Sequence, residues 1–118
     1  MECLWLVGRT ISAVAVLSSL VIYSAFATEA FVGRWAVKPE VCGTRGGETP
    51  QTSALVATDN SLWWFDGYCS IGKMYKAKAV YVQAHCGGND VAVTLDAQGN
   101  RMRVTWGKAK AEELQRCP

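Results

Sequence analysis

VAVTLDAQGNRMRVTW, residues 91–106, decides how this chain is read. Val91, Val93 and Leu95 fall on one side of a period-two pattern, and Met102, Val104 and Trp106 fall on one side of the next. Arg101, Arg103 and Thr105 point the other way. Between the two runs, Gln98-Gly99-Asn100 supplies residues that tolerate positive φ or hydrogen-bond locally. The stretch reads as an antiparallel hairpin with one apolar face, and that face needs a core to cover it.

The same period runs outward from the hairpin in both directions. Towards the N-terminus, Ala79 to Cys86, Tyr68 to Ile71, Ser61 to Phe65 and Ser53 to Thr58 read as strands, separated by Asp59-Asn60, Asp66-Gly67 and Gly87-Gly88-Asn89-Asp90. A first strand starts at Phe31, with Phe31, Gly33, Trp35 and Val37 on one face, and Pro39 ends it. Gly43 to Gln51 is the longest loop and the candidate mobile segment. Such short connections force antiparallel neighbours, so the fold class is all-β: a small antiparallel barrel or sandwich. Its core is expected from Trp35, Val37, Val80, Val82, Val91, Val93, Leu95, Met102, Val104 and Trp106. After Gly107, the good helix formers Ala109 to Leu114 predict a short C-terminal helical turn.

The N-terminus carries an apolar run from Ile11 to Ala27, flanked by Arg9 and ending in the small-x-small site Ala25-Phe26-Ala27. This is the pattern of a secretory signal covering residues 1–27, with residues 28–118 as a single exported β-domain. The alternative is an uncleaved membrane anchor. Against it, the uninterrupted stretch is shorter than the roughly 20 residues a span needs, and Ser12, Ser18, Ser19 and Ser24 dilute it.

Of five cysteines, Cys3 leaves with the signal. Cys42, Cys69, Cys86 and Cys117 then read as two disulfides in an oxidising compartment. Three connectivities exist. Cys86 shares a strand face with Val80, Val82 and Ala84, and Cys69 shares one with Ile71, so parity favours Cys69 with Cys86 and, by remainder, Cys42 with Cys117. A domain of this size buries only roughly 60 to 65 % of its unfolded surface, which is where covalent staples are commonly added.

The formal net charge of +2 is small and evenly spread. It excludes a nucleic-acid footprint and a polybasic membrane site. No two cysteines are spaced C-x-x-C, so neither a zinc site nor thiol chemistry is expected. The single histidine, His85, lies on the strand face opposite the core valines, and no G-x-S-x-G elbow accompanies it. Asp59, Asp66, Asp90 and Asp96 sit in or beside turns, where aspartate makes local hydrogen bonds, and Gly88-Asn89-Asp90 lacks the alternating oxygen ligands of a calcium loop. The chain reads as a non-enzyme, without cofactor or metal.

Trp63 and Trp64 are adjacent in a strand and must point to opposite faces. Leu62 pairs in parity with Trp64 and is the more obligate core residue, which makes Trp63 the outward ring. With Lys73, Lys76 and Lys78 downstream, Trp63 predicts a binding patch of an aromatic anchor with a cationic rim. The competing reading is that both faces pack, with lysine stems covering the ring.

Gly33-Arg34-Trp35 resembles the G-x-W opening of lipocalin-like barrels, in which the tryptophan closes one end and a late arginine packs across it; Arg116 takes that place here. Trp35 followed by Cys42 is similar to the opening of the bacterial periplasmic inhibitor of secreted metalloproteases, a small exported barrel. G-x-W, Cys42, Cys69, Cys86 and the terminal Arg116-Cys117-Pro118 together resemble small exported bacterial proteins to which no activity is attached. The expectation is a periplasmic or secreted, monomeric, non-enzymatic binding module of the cell envelope. Its partner would be a protein, with protease inhibition as the sharper form. A passive envelope or stress-related structural protein is the alternative, and a small hydrolase ranks below both.

Overall fold

The computed structural model describes residues 29–118, so the expected signal at residues 1–27 lies outside the described residues. Eight strands follow in order: β1 Gly33–Ala36, β2 Leu55–Ala57, β3 Ser61–Trp64, β4 Gly67–Lys76, β5 Val80–Cys86, β6 Asn89–Gln98, β7 Arg101–Trp106 and β8 Glu112–Arg116. Each pairs antiparallel with the next, and β8 pairs with β1 to close a barrel. Between barrel and sandwich, the fold is the barrel. Single 3-10 turns at Pro39–Val41 and Pro50–Thr52 interrupt the β1–β2 connection.

The inward set follows from strand alternation. Trp35, Leu55, Leu62, Trp64, Val82, Val93, Leu95, Met102, Val104, Trp106 and Leu114 are buried in one continuous core, and Val37, Val80 and Val91 are half-buried at its margin. Trp64 meets Trp106 edge to face at 5.5 Å between ring centroids, and its indole N–H donates to the Ser53 carbonyl at 3.0 Å. Six pairs on the β6–β7 hairpin, including Leu95 with Val104 and Ala97 with Met102, hold the register read from residues 91–106.

The C-terminal helical turn is not present. Gly107 to Ala111 form the connection, and Glu112–Arg116 is a strand. A six-residue helix would rest on local propensity alone, which differs among these residues by less than about 1 kcal/mol each. As β8, the same residues place Leu114 opposite Met102, bury it, and pair both open edges of the sheet, β7 on one side and β1 on the other. The gain from closing two edges overrides propensity.

The first strand is shorter than its alternation suggested. It starts at Gly33, and residues 29–32 turn beneath the barrel, with the Val32 N–H donating to the Glu29 carbonyl at 3.0 Å. Phe31 is nevertheless buried, as a plug rather than a strand residue. The Trp35 indole N–H donates to the Phe31 carbonyl at 2.9 Å. Arg116 lies across Trp35, its guanidinium carbon 4.2 Å from the ring centroid, and donates to the Val32 and Ala30 carbonyls at 3.0 Å each. Gly33 has φ of +144°, and a Cβ there would stand 2.6 Å from Arg116 Nη1. That contact is the physical reason for the glycine of G-x-W in this chain.

On the outside of β1, the segment after Pro39 folds back so that Val41 covers Ala36 beside Cys42 and Cys117. The disulfides are Cys42–Cys117 and Cys69–Cys86, the pairing that strand parity favoured. Among the described residues no helix is long and apolar enough to cross a membrane.

The bridges span 75 and 17 residues. Chain entropy therefore predicts that replacing Cys42 and Cys117 by alanine lowers unfolding free energy by about 4.5 kcal/mol, against about 3 kcal/mol for Cys69 and Cys86, measured by urea denaturation of the two double variants. Arg116→Leu removes the ring stack and two charge-assisted bonds, and costs about 2 kcal/mol by the same measurement.

Candidate interaction surface

The outward face of β1 to β6 is built by the residues that alternate with the core. Where Leu62 and Trp64 point in, Trp63 must point out. It is 41 % exposed, against 1 % for Trp64. Its register neighbours are Val56 on β2 and Tyr68 on β4. Tyr68 packs edge to face on Trp63 at 5.9 Å, and the Arg45 guanidinium carbon lies 5.1 Å from the Trp63 centroid. Arg45 comes from the glycine-rich β1–β2 connection, which is tied back to the barrel by Cys42 and by the Ala54 N–H donating to the Thr44 carbonyl at 2.8 Å.

A second aromatic pair lies lower on the same wall. Tyr75 and Tyr81 oppose each other across β4 and β5, with ring centroids 6.1 Å apart, and are 67 % and 47 % exposed. Beside them a shallow groove of about 420 Å³ runs over Lys73, Met74, Tyr75, Tyr81, Val82 and Gln83. All the large hydrophobic residues exposed among the described residues, namely Trp63, Tyr68, Tyr75 and Tyr81, therefore stand on β3, β4 and β5.

The three lysines expected beside Trp63 belong to this lower group. Lys73 is five residues along β4 from Tyr68, roughly 17 Å at strand rise. Lys76 is paired with Glu29, and Lys78 sits in the β4–β5 turn. The structure thus brings Trp63 together with Tyr68 and Arg45, and brings Lys73 together with Tyr75 and Tyr81. Arg45 had no signal in the sequence. Its position depends on the direction in which the β1–β2 connection folds back, and a Gly-Thr-Arg-Gly-Gly run does not specify direction.

Between the two groups, His85 is exposed on the outer face, opposite in register to Ser70 and Asp90. Its Nδ1 meets Asp90 Oδ1 at 2.6 Å, and Gln83 Nε2 donates to Asp90 Oδ2 at 3.2 Å. The hydrogen bond from His85 is the main cause that holds the Asp90 carboxyl below the usual carboxylate range. The other ring nitrogen lies over Gly72, at the bulge between Ile71 and Lys73, where any Cβ would collide with the imidazole. With Nδ1 on Asp90 and Nε2 against backbone, no hydroxyl among the described residues hydrogen-bonds the ring. The arrangement orients the histidine and accounts for the glycine in the bulge. The described residues contain no cluster of three or more metal-ligating side chains.

Because Trp63 is half in solvent and Trp64 fully packed, the two alanine variants should separate. Trp63→Ala costs under about 1 kcal/mol, while Trp64→Ala costs about 3 to 5 kcal/mol, read from thermal melts.

No protein family, curated protein or solved structure matches this chain.

Proposed function

We propose that this chain is an exported, non-enzymatic binding module of the bacterial cell envelope that engages a protein partner through Trp63, Tyr68 and Arg45. The observation that carries the reading is the contact of these three side chains on one wall, with Trp63 41 % and Tyr68 55 % exposed. Tryptophan, tyrosine and arginine are the residue types that dominate binding energy at protein interfaces. Here Trp63 and Tyr68 stand on strands and pack on each other, so they have little side-chain entropy left to lose on association, and Arg45 is drawn to the same ring from the connection that carries Cys42.

Two buried or half-buried disulfides favour an oxidising compartment. Together with Arg9, the apolar run and Ala25-Phe26-Ala27, they support the periplasm or the medium as location. The interior supports a protein partner over a small ligand, because Trp35, Trp64, Leu55, Leu62, Leu95 and Met102 fill it with fully buried side chains. A carrier of the lipocalin type needs a cavity there, whereas an inhibitor presents its outer surface. Inhibition of an exported protease is accordingly the sharper form of the proposal. The passive structural reading requires no exposed anchor and leaves this cluster without a purpose.

The test is affinity capture from a bacterial envelope extract with the mature domain, scored against folded Trp63→Ala and Arg45→Ala variants. A genuine partner is captured by the parent and reduced about tenfold or more by either change, consistent with hot-spot truncation of about 1.4 kcal/mol or above. Capture that is unaltered in both variants refutes the proposed surface.

A further inference from the structure

The strands of this barrel are unequal, and β4 is where the inequality leaves backbone uncovered. β3 pairs with β4 only over Gly67–Ser70, whereas β4 continues to Lys76 and pairs there with β5 alone. The last bond on the β3 side is the Ile71 N–H to the Asn60 carbonyl at 2.9 Å. Beyond the bulge at Gly72, no described strand adjoins the second edge of Lys73–Lys76. An edge of this kind presents alternate N–H and C=O groups ready to pair with another extended chain.

We propose that the Lys73–Lys76 edge of β4 receives an extended acidic peptide segment as an added strand. The inference rests on the binding-module reading and deepens it, naming a second contact and the chemistry of the segment it takes. Charge selects the occupant. Lys73 and Lys78 have no ion-pair partner among the described residues, and Lys76 is held by Glu29 at the far end of the edge. A second copy of this chain would bring the lysines of both edges to one seam, where like charges oppose pairing. An acidic strand meets them favourably.

The side chains flanking the edge refine this. Lysine on an open edge also serves to discourage aggregation, but that role does not call for exposed aromatics beside it. Tyr75 is 67 % exposed and lies beside the tilted ring of Tyr81 at a groove of about 420 Å³. In an added strand, alternate side chains lie on the outer wall. One of these meets Lys73 and suits a carboxylate; the next meets Tyr75 and suits an aliphatic or aromatic group. The pairing supplies main-chain hydrogen bonds for affinity, and this alternation supplies selectivity.

The probe is an acetylated, amidated octapeptide, Glu-Thr-Val-Thr-Glu-Thr-Val-Thr, which presents glutamate and valine in turn on one strand face, titrated into the mature domain by calorimetry, with amide hydrogen exchange read at residues 72–76. Saturable binding with slowed exchange confined to that segment is expected. Two further peptides carry N-methyl groups on one or the other set of alternate backbone nitrogens. Loss of binding by one of the two is expected, because one set must face the edge; equal binding by both overturns strand addition. The Lys73→Glu, Lys78→Glu double variant, verified as folded by circular dichroism, should bind the octapeptide about tenfold more weakly, and unchanged affinity overturns the charge argument. Binding of a sulfated oligosaccharide with no binding of the octapeptide, or a dimer in sedimentation that buries β4, overturns the proposal in favour of those occupants. Trp63→Ala leaves octapeptide binding unchanged. Envelope capture lost in that variant with octapeptide binding retained is the result expected of both surfaces; capture unaltered in that variant while the octapeptide binds overturns the Trp63 surface alone, and absence of octapeptide binding to a parent domain whose capture depends on Trp63 overturns the edge alone.

Discussion

The seam between β1 and β8 is the constraint on which the rest of the barrel depends, since without it an eight-strand meander would be an open sheet with two sticky edges. The ladder there is short: Trp35 opposite Arg116 and Ala36 opposite Gln115. Its strength comes from what surrounds it. Arg116 stacks on Trp35 and reaches under the barrel to two carbonyls of the preceding turn, Cys117 donates to the Arg34 carbonyl at 2.8 Å, and the next covalent link is the disulfide to Cys42. Ring, guanidinium, glycine and disulfide are interlocked. Gly33 yields the space that Arg116 occupies, Arg116 holds the turn that buries Phe31, and Cys117 holds the strand that carries Arg116.

Closure also decides what the outer wall can present. In a flat sheet, two adjacent tryptophans in one strand would compete for the single apolar face. In a closed barrel, inside and outside are unequivocal, so Trp64 is driven to the aromatic group around Trp106, and Trp63 is left to pack on Tyr68. The β1–β2 connection, drawn over the outside of β1 by the Cys42–Cys117 bridge, delivers Arg45 to the same ring. The bridge thus supports both the seam and the surface.

Where alternation was strong, side-chain direction was legible from the chain: Val93 and Leu95 against Val104 and Trp106 came out buried, His85 exposed, and Cys69 within reach of Cys86. Parity is a local property, and a strand preserves it. What depended on partners distant in sequence was not legible. Ala109 to Leu114 has helical propensity, and only the presence of two waiting edges makes part of it a strand. Phe31 continues the β1 alternation and yet leaves the strand, because Arg116, 85 residues downstream of it in the chain, captures the turn that contains it. Lys73 follows Trp63 closely in sequence, but nothing in the sequence states that β4 outruns β3, and that overhang is what carries the lysines away from the ring.

The overhang gives β4 two characters. Its first half is held on both sides, by β3 and β5, and carries Tyr68 on a fixed backbone. Its second half, past the bulge at Gly72, is held on one side only and carries Lys73 and Tyr75. A rigid surface suits recognition of a preformed shape, since it loses little entropy on docking. An open edge suits a segment that has no shape until it pairs. The bulge separates the two regimes, and the imidazole of His85, oriented by Asp90, is seated over Gly72 in the space that a Cβ there would need. Replacing that glycine would not merely crowd a histidine; it would alter the twist at which the free edge leaves the barrel, and with it the direction in which an added strand runs.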